Sequence, residues 1–169
     1  MRKILLFIAV FIVGCGVAYW LICPDERPLA QKFAERMNYV RFDTYIDPDF
    51  GYAFDYPSFF ERDETEDFGC GHVQFSYHTN TNIIIECRVV PERVYTRKKS
   101  DFIEIGPLKE LDNYYHYTHF IRHQHRWYIL ALYYPADYTA GVKRIKDRIE
   151  NWNLHPRVYN LGLTAKDSV

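Results

Sequence analysis

No catalytic signature stands in this sequence. It has no G-x-S-x-G elbow to expose a nucleophilic serine, no P-loop or dinucleotide fingerprint to cradle phosphates, and no H-E-x-x-H to hold a catalytic zinc. The sequence therefore implies no cofactor, and an enzyme would have to assemble its site in space. An excess of positive charge is missing as well: 21 Lys and Arg stand against 22 Asp and Glu, net −1. Nucleic acid is a poor partner for such a chain, because phosphate contacts need many cations. The short basic run Arg97-Lys98-Lys99 reads as a solvated loop. Cysteine is scarce too, with only Cys70 and Cys87 beyond residue 23.

Charge is absent from residues 4–23, and that absence is informative. Arg2 and Lys3 precede the run, and Pro24, Asp25 and Glu26 end it. At about 1.5 Å per residue a helix of this length spans roughly 30 Å, the hydrocarbon thickness of a bilayer. The early cations would stay on the cytoplasmic side, which places the remainder outside the cytoplasm, in the bacterial cell envelope on its periplasmic side. A competing reading takes Ile12-Val13-Gly14-Cys15 as a lipobox-like end to a shorter signal, so that Cys15 becomes a lipidated N-terminus. Against it, the residues after Cys15, GVAYWLIC, stay apolar where a lipoprotein usually turns polar. Simple cleavage is the third alternative. All three export the domain, and two of them tether it to the bilayer through residues 4–23.

The chain thus divides into an anchor or signal at 1–23, a globular domain at 24–152 and an irregular tail at 153–169. Without Arg2 and Lys3, the exported part has 19 basic and 22 acidic residues, net −3. Its odd feature is aromatic content: 15 Tyr, 12 Phe and 3 Trp. These residues favour strands, so a β-rich domain explains them, while an exposed tyrosine surface for peptide or glycan contact is the sharper alternative.

Periodicity sets the elements. After Pro28, Leu29, Phe33 and Met37 recur every four residues, which predicts a short amphipathic helix over 28–37. "YVRFDTYI" and "YAFDY" read as strands around the turn "DPDFG". The acidic stretch 61–67 reads as a loop. "HVQFSYH" and "IIIECRVV" form a hairpin whose apolar partners share a face when Tyr77 meets Ile83, Phe75 meets Ile85 and Val73 meets Cys87. That register leaves Cys70 three residues from the partner of Cys87, roughly 10 Å at about 3.4 Å per residue and beyond the ~7 Å reach of a disulfide. A Cys70–Cys87 bridge forms only if Gly69 and Gly71 fold the chain back.

A short strand is expected over 102–105, and a second hairpin joins "YYHYTHFI" to "WYILALYY" through "RHQHR". The last strand is apolar on both faces and should sit mid-sheet, covered above and below. After Pro135, Asp137 or Thr139 is placed to cap a helix whose buried stripe is Val142, Ile145, Ile149 and Trp152. The fold class is α+β: an antiparallel sheet covered by helices.

The "FGYAFDYPSFF" element and the passage "YYPADY" into a last amphipathic helix resemble the PsbP/Mog1-like α/β/α sandwich group, and uncharacterised exported bacterial domains built on that plan. The resemblance covers about residues 39–152. It implies a non-catalytic docking or accessory module and carries over no site residues.

Chemistry has one weak foothold. His123 and His125, two apart in a hairpin turn, are candidate metal ligands, but a site needs three or four converging donors and none is nearby in sequence. His116 and His119 differ by an odd number and point to opposite faces. A thiol–base pair at Cys70 and His72 is disfavoured by the geometry of near neighbours. Function is expected to be contact with another envelope protein, with two alternatives: a membrane-held immunity protein against a toxin, or a hydrolase or metal-dependent enzyme using His123 and His125.

The N-terminus is open to direct measurement. Mass spectrometry of the protein from native membranes is expected to return an intact Met1, with Cys15→Ser changing nothing in processing. A diacylglycerol-sized addition on Cys15, abolished by Cys15→Ser, would establish the lipoprotein instead.

Overall fold

The computed structural model describes residues 11–15, 25–64, 69–78 and 82–154. Residues 11–15 are helical and exposed, Cys15 among them. The rest of the expected span lies outside the described residues, as do residues 155–169 of the tail. Among the described residues no helix is long and apolar enough to cross a membrane.

The domain is α+β, a mostly antiparallel sheet with few helices. Helix α1 (Leu29–Tyr39) starts behind Pro28 and buries Phe33 and Met37, the stripe read from the sequence. Strands β1 (Phe42–Ile46) and β2 (Ala53–Pro57) pair with each other in a small sheet of their own. Their turn is built by Asp47: its Oδ1 accepts the backbone N–H of Asp49 and Phe50 at 3.0 and 2.7 Å, and Gly51 takes a positive φ of 66°. This is the aspartate's ordinary way of imitating a turn of backbone.

The main sheet has six strands in the order β3-β4-β5-β8-β7-β6. They are β3 (Glu61–Arg62), β4 (His72–His78), β5 (Asn82–Pro91), β6 (Asp101–Pro107), β7 (Tyr114–His123) and β8 (Arg126–Pro135). Every neighbouring pair is antiparallel. The β4–β5 register is the one the apolar pattern selects, with Val73 opposite Cys87, Phe75 opposite Ile85 and Tyr77 opposite Ile83. The β7–β8 hairpin closes on Gln124 and His125, both at positive φ (47° and 62°), the twist that matches a two-residue hairpin turn to its strands. β8 sits inside the sheet, as its doubly apolar pattern requires.

Two local expectations are corrected. Glu61 and Arg62 are not loop but pair with Ser76 and Phe75 as a short edge strand. The last helix, α2 (Lys143–Glu150), has no side-chain cap: Ala136–Tyr138 forms a 3-10 turn, Thr139 Oγ1 donates back to Ala136 O at 2.6 Å, and Val142 occupies the cap position. The helix is held by its buried stripe instead, since Val142, Ile145, Ile149 and Trp152 are all buried.

The larger correction concerns layers. Side chains of odd-numbered residues on β4, β5 and β7 (Phe75, Ile85, Tyr117) join Leu130 and Leu132 of β8 in one core with α1, α2 and the β1–β2 hairpin. Helices α1 and α2 therefore lie on the same face. The opposite face carries a smaller cluster of Phe120, Trp127 and Ile129, closed by Val90, Tyr95 and Phe102 with no α-helix among the described residues. The sandwich expected from the two-sided apolar strand is replaced by a helical cover on one side and an aromatic patch, capped by irregular chain, on the other.

Ile145 is fully buried in the helical layer, whereas Ile105 is 64% exposed. Ile145→Ala is expected to cost about 3 kcal/mol, the usual range for emptying a packed aliphatic site. Ile105→Ala is expected to cost less than about 0.5 kcal/mol. Urea unfolding of both variants checks the contrast.

Candidate functional site

The helix-free face of the sheet collects the domain's half-buried polar side chains. Period-two alternation puts His72, Ser76 and His78 of β4 on it, with Glu86 and Arg88 of β5, and Tyr133 of β8. Glu86 is the hub. It faces Gln74 across β4 and Ala131 across β8, and its carboxylate is only 13% exposed. His72 Nε2 lies 2.8 Å from Glu86 Oε1, and Arg88 Nη1 is 3.9 Å from the same oxygen. Tyr133 lies on the same face, near enough to feel the Glu86 charge. Burial, then the Glu86 charge, push the Tyr133 hydroxyl well above the ordinary tyrosine range, so it stays a donor. Arg88 in turn donates to the Tyr95 hydroxyl at 3.2 Å, tying the hub to the segment that caps the aromatic patch.

Beside the hub, Ser76 Oγ and His78 Nε2 are 2.6 Å apart, and His78 Nδ1 is 3.3 Å from Asn82 Oδ1. The order resembles nucleophile, base and orienting group. Ser76, however, is only 1% exposed, so a substrate carbonyl has no route to its oxygen. The line is a strand-to-strand hydrogen-bond chain. Further across the face, His116 Nδ1 lies 3.1 Å from Thr118 Oγ1.

The residues singled out in the sequence are not brought together. His123 ends β7 and is exposed. His125, in the turn, is 96% exposed and sits with Nδ1 3.1 Å from Glu92 Oε2, while Arg122 holds the other oxygen at 3.0 Å. Among the described residues no group of three or more His, Cys, Asp or Glu is placed to hold a metal ion. Cys70 and Cys87 are both free thiols, not a bridge. Gly69 and Gly71 do turn the chain, at φ 78° and 75°, but Gly71 O still accepts from Val89 N at 2.8 Å. That bond carries the β4–β5 pairing past Cys87, leaving Cys70 in the exposed turn while Cys87 points into the core.

One histidine named in the sequence has partners that the sequence did not show. His119 is 4% exposed, with Nδ1 2.7 Å from Ile149 O and Nε2 2.8 Å from Asp101 Oδ1, and its ring meets Trp152 edge-on at 5.7 Å. The Ile149 carbonyl can only accept, so Nδ1 is the ring nitrogen that donates to it. The long-range partners left no local signal. Glu86 did leave one: a charge inside the apolar run IIIECRVV.

Compared with protein-family models, curated proteins and solved structures, the chain matches none.

Burial pushes the Cys87 thiol well up, which removes its reactive thiolate. In the native protein Cys70 is expected to react with a maleimide, and Cys87 at least about a hundredfold more slowly until denaturation exposes it. Peptide mapping with and without urea reads both sites, and a Cys70–Cys87 crosslinked peptide would refute the assignment.

Proposed function

We propose that the chain is a membrane-tethered, extracytoplasmic, non-catalytic binding or accessory module that contacts another envelope protein. The single observation that carries this reading is the one-sided cover of the sheet. Helices and the small hairpin seal one face, while the other presents polar side chains already fixed to one another around Glu86. A surface whose rotamers are held before contact loses less conformational entropy on binding, which is what a docking face requires. The charge-free run at 4–23 supports the tether, and Arg2 and Lys3 support the orientation. The PsbP/Mog1-like order of elements supports an accessory role, although α1 and α2 here pack on one face.

The test uses the full chain in its native membrane. Crosslinking followed by affinity purification is expected to return one envelope protein in defined ratio. Ile84→Arg, which puts a charge in the middle of the helix-free face, should lower that yield about tenfold, as the loss of a central contact does. Equal yield from Ile84→Arg, or no crosslinked partner together with turnover of a substrate by the purified protein, would reject the reading.

A further inference from the structure

We infer that one end of the main sheet is a basic docking end for an extended acidic segment of the partner protein. The inference rests on the binding-module reading and names the chemistry of what that module meets.

Three stretches of chain are tied together at this end. Glu92 N donates to His125 O at 3.0 Å, which holds the 3-10 turn Glu92–Val94 against the β7–β8 turn. Arg122 N donates to Ser100 O at 2.6 Å, and Trp127 Nε1 to Tyr95 O at 3.2 Å. Arg97 is fixed by Glu104 at 2.7 Å and by the Phe102 ring under its guanidinium at 5.9 Å. The run Arg97-Lys98-Lys99, expected as a solvated loop, is therefore exposed but held on either side, at Arg97 and at Ser100.

The charge at this end is lopsided. Residues 91–101 and 122–126 carry six Lys and Arg against two carboxylates. Beyond Arg2 and Lys3, the rest of the chain keeps 13 of 19 cations and 20 of 22 carboxylates, net −7. Glu92 lies between Arg122 and His125, Asp101 meets His119, and Glu104 meets Arg97. Arg93, Lys98, Lys99 and Arg126 are exposed and, among the described residues, meet no carboxylate. One exposed carboxylate, Asp49, adjoins them, in the turn whose Phe50 ring lies under Arg126. Four cations without ion-pair partners against one such carboxylate attract an anionic partner and speed its encounter.

Shape narrows the class. Arg93 follows β5, Arg126 opens β8, and Lys98 and Lys99 precede β6, with the end of β7 between. At about 4.8 Å between strands the row spans roughly 14 Å. One phosphate would reach only part of it, whereas about four or five residues of extended chain cover it at about 3.4 Å each. Val94, 55% exposed beside Arg93, offers such a chain one apolar contact. A long polyanion such as nucleic acid would run past the row onto the acidic remainder, which repels it. On the tethered reading the bilayer lies at the other end. Phe33 of α1 packs on Tyr77 and Tyr138, where β4 and β8 finish, and the basic row lies where those strands begin.

The probe is a fluorescently labelled hexaglutamate peptide, titrated into the full chain in an uncharged detergent and read by anisotropy. Its affinity is expected to fall about tenfold or more for Lys98→Glu combined with Lys99→Glu, and as much for Arg93→Glu combined with Arg126→Glu. Lys109→Glu combined with Lys143→Glu alters net charge equally at exposed sites elsewhere, and should change affinity less than about twofold. A urea midpoint equal to the parent's shows that each variant is folded. No binding at low ionic strength, or equal loss from the Lys109 and Lys143 variant, overturns the inference. So does tighter binding, through the same residues, of a thymidine oligonucleotide of equal charge or of phosphatidylglycerol vesicles. A dimer that Lys98→Glu with Lys99→Glu dissolves would make a second copy the occupant, again overturning it. Crosslinking in native membranes that responds to Ile84→Arg but to neither basic-end variant would leave the binding module standing while removing this end from it. No crosslinked partner for the parent chain would instead reject the binding-module reading itself.

Discussion

The eight-residue helix α2 ties the parts of the helical layer to one another as well as to the sheet, and the cover depends on that attachment. Lys143–Glu150 is too short to persist in water by itself and has no side-chain cap, so its stability comes from tertiary contacts. Its inner stripe is sealed: Val142 and Ile145 are 0% exposed, Ile149 1%. Its other side reaches sideways. Arg144 donates to the carbonyls of Met37 and Val40, satisfying acceptors left over at the C-terminal end of α1. Arg148 pairs with Asp55 of β2, and both guanidiniums lie over the Phe42 ring of β1, at 5.1 and 4.8 Å. Just beyond the helix, Trp152 Nε1 donates to Ala53 O at 2.8 Å. His119, from the sheet below, donates to Ile149 O. One short helix thereby meets α1, the small hairpin and the main sheet at once.

That arrangement also answers what the aromatic residues are for. Phe33 packs against Phe59, Tyr77 and Tyr138, and Phe75 against Tyr45, Phe54 and Tyr56, with the last pair stacked at 4.0 Å. The rings fill the space between the cover and the sheet rather than forming an exposed tyrosine surface. Two glycines are needed for that fit. A Cβ on Gly71 would sit 2.4 Å from the Phe50 ring, and one on Gly141 would sit 2.6 Å from the Phe33 ring. Aromatic volume in the cover and small residues facing it belong to one packing solution.

Much of this was legible because strands have a strict period. A one-residue slip of β4 on β5 would have set Phe75 against Glu86, so the apolar pattern selected the register that the structure has. The helix stripes at 29–37 and 142–152 were legible for the same reason, with a period nearer four. The layer count was not. A doubly apolar strand requires cover on both sides but does not say what kind. Trp127 and Ile129 find theirs in Tyr95, Phe102 and Phe120, where the sequence suggested a second helix. Capping failed for a related reason: Thr139 bonds its own turn, and burial of the stripe made a cap unnecessary. His119 depends on partners on β6 and α2 that are distant in sequence, which no local pattern encodes. His119 and its partner Ile149 are 30 residues apart in sequence.

The hub poses an energetic question. Placing Glu86, His72, Arg88 and Tyr133 together, mostly out of water, sacrifices hydration for charges whose mutual attraction recovers only part of it. Apolar side chains of similar volume would fill the same positions at least as stably, as Ile129 and Phe120 do one row away. The aromatic patch shows that this sheet accepts an apolar solution on that face. Folding stability therefore does not demand the polar one. Its fixed geometry is what an apolar surface would lack: a carboxylate, a guanidinium, an imidazole and a phenol in set positions reject a partner that leaves any of them unpaired, because an unpaired buried polar group costs more than a well-made bond returns. Specific recognition is the property for which such a cluster is better suited than a greasier face, and it lies on the side of the sheet that the helices leave open.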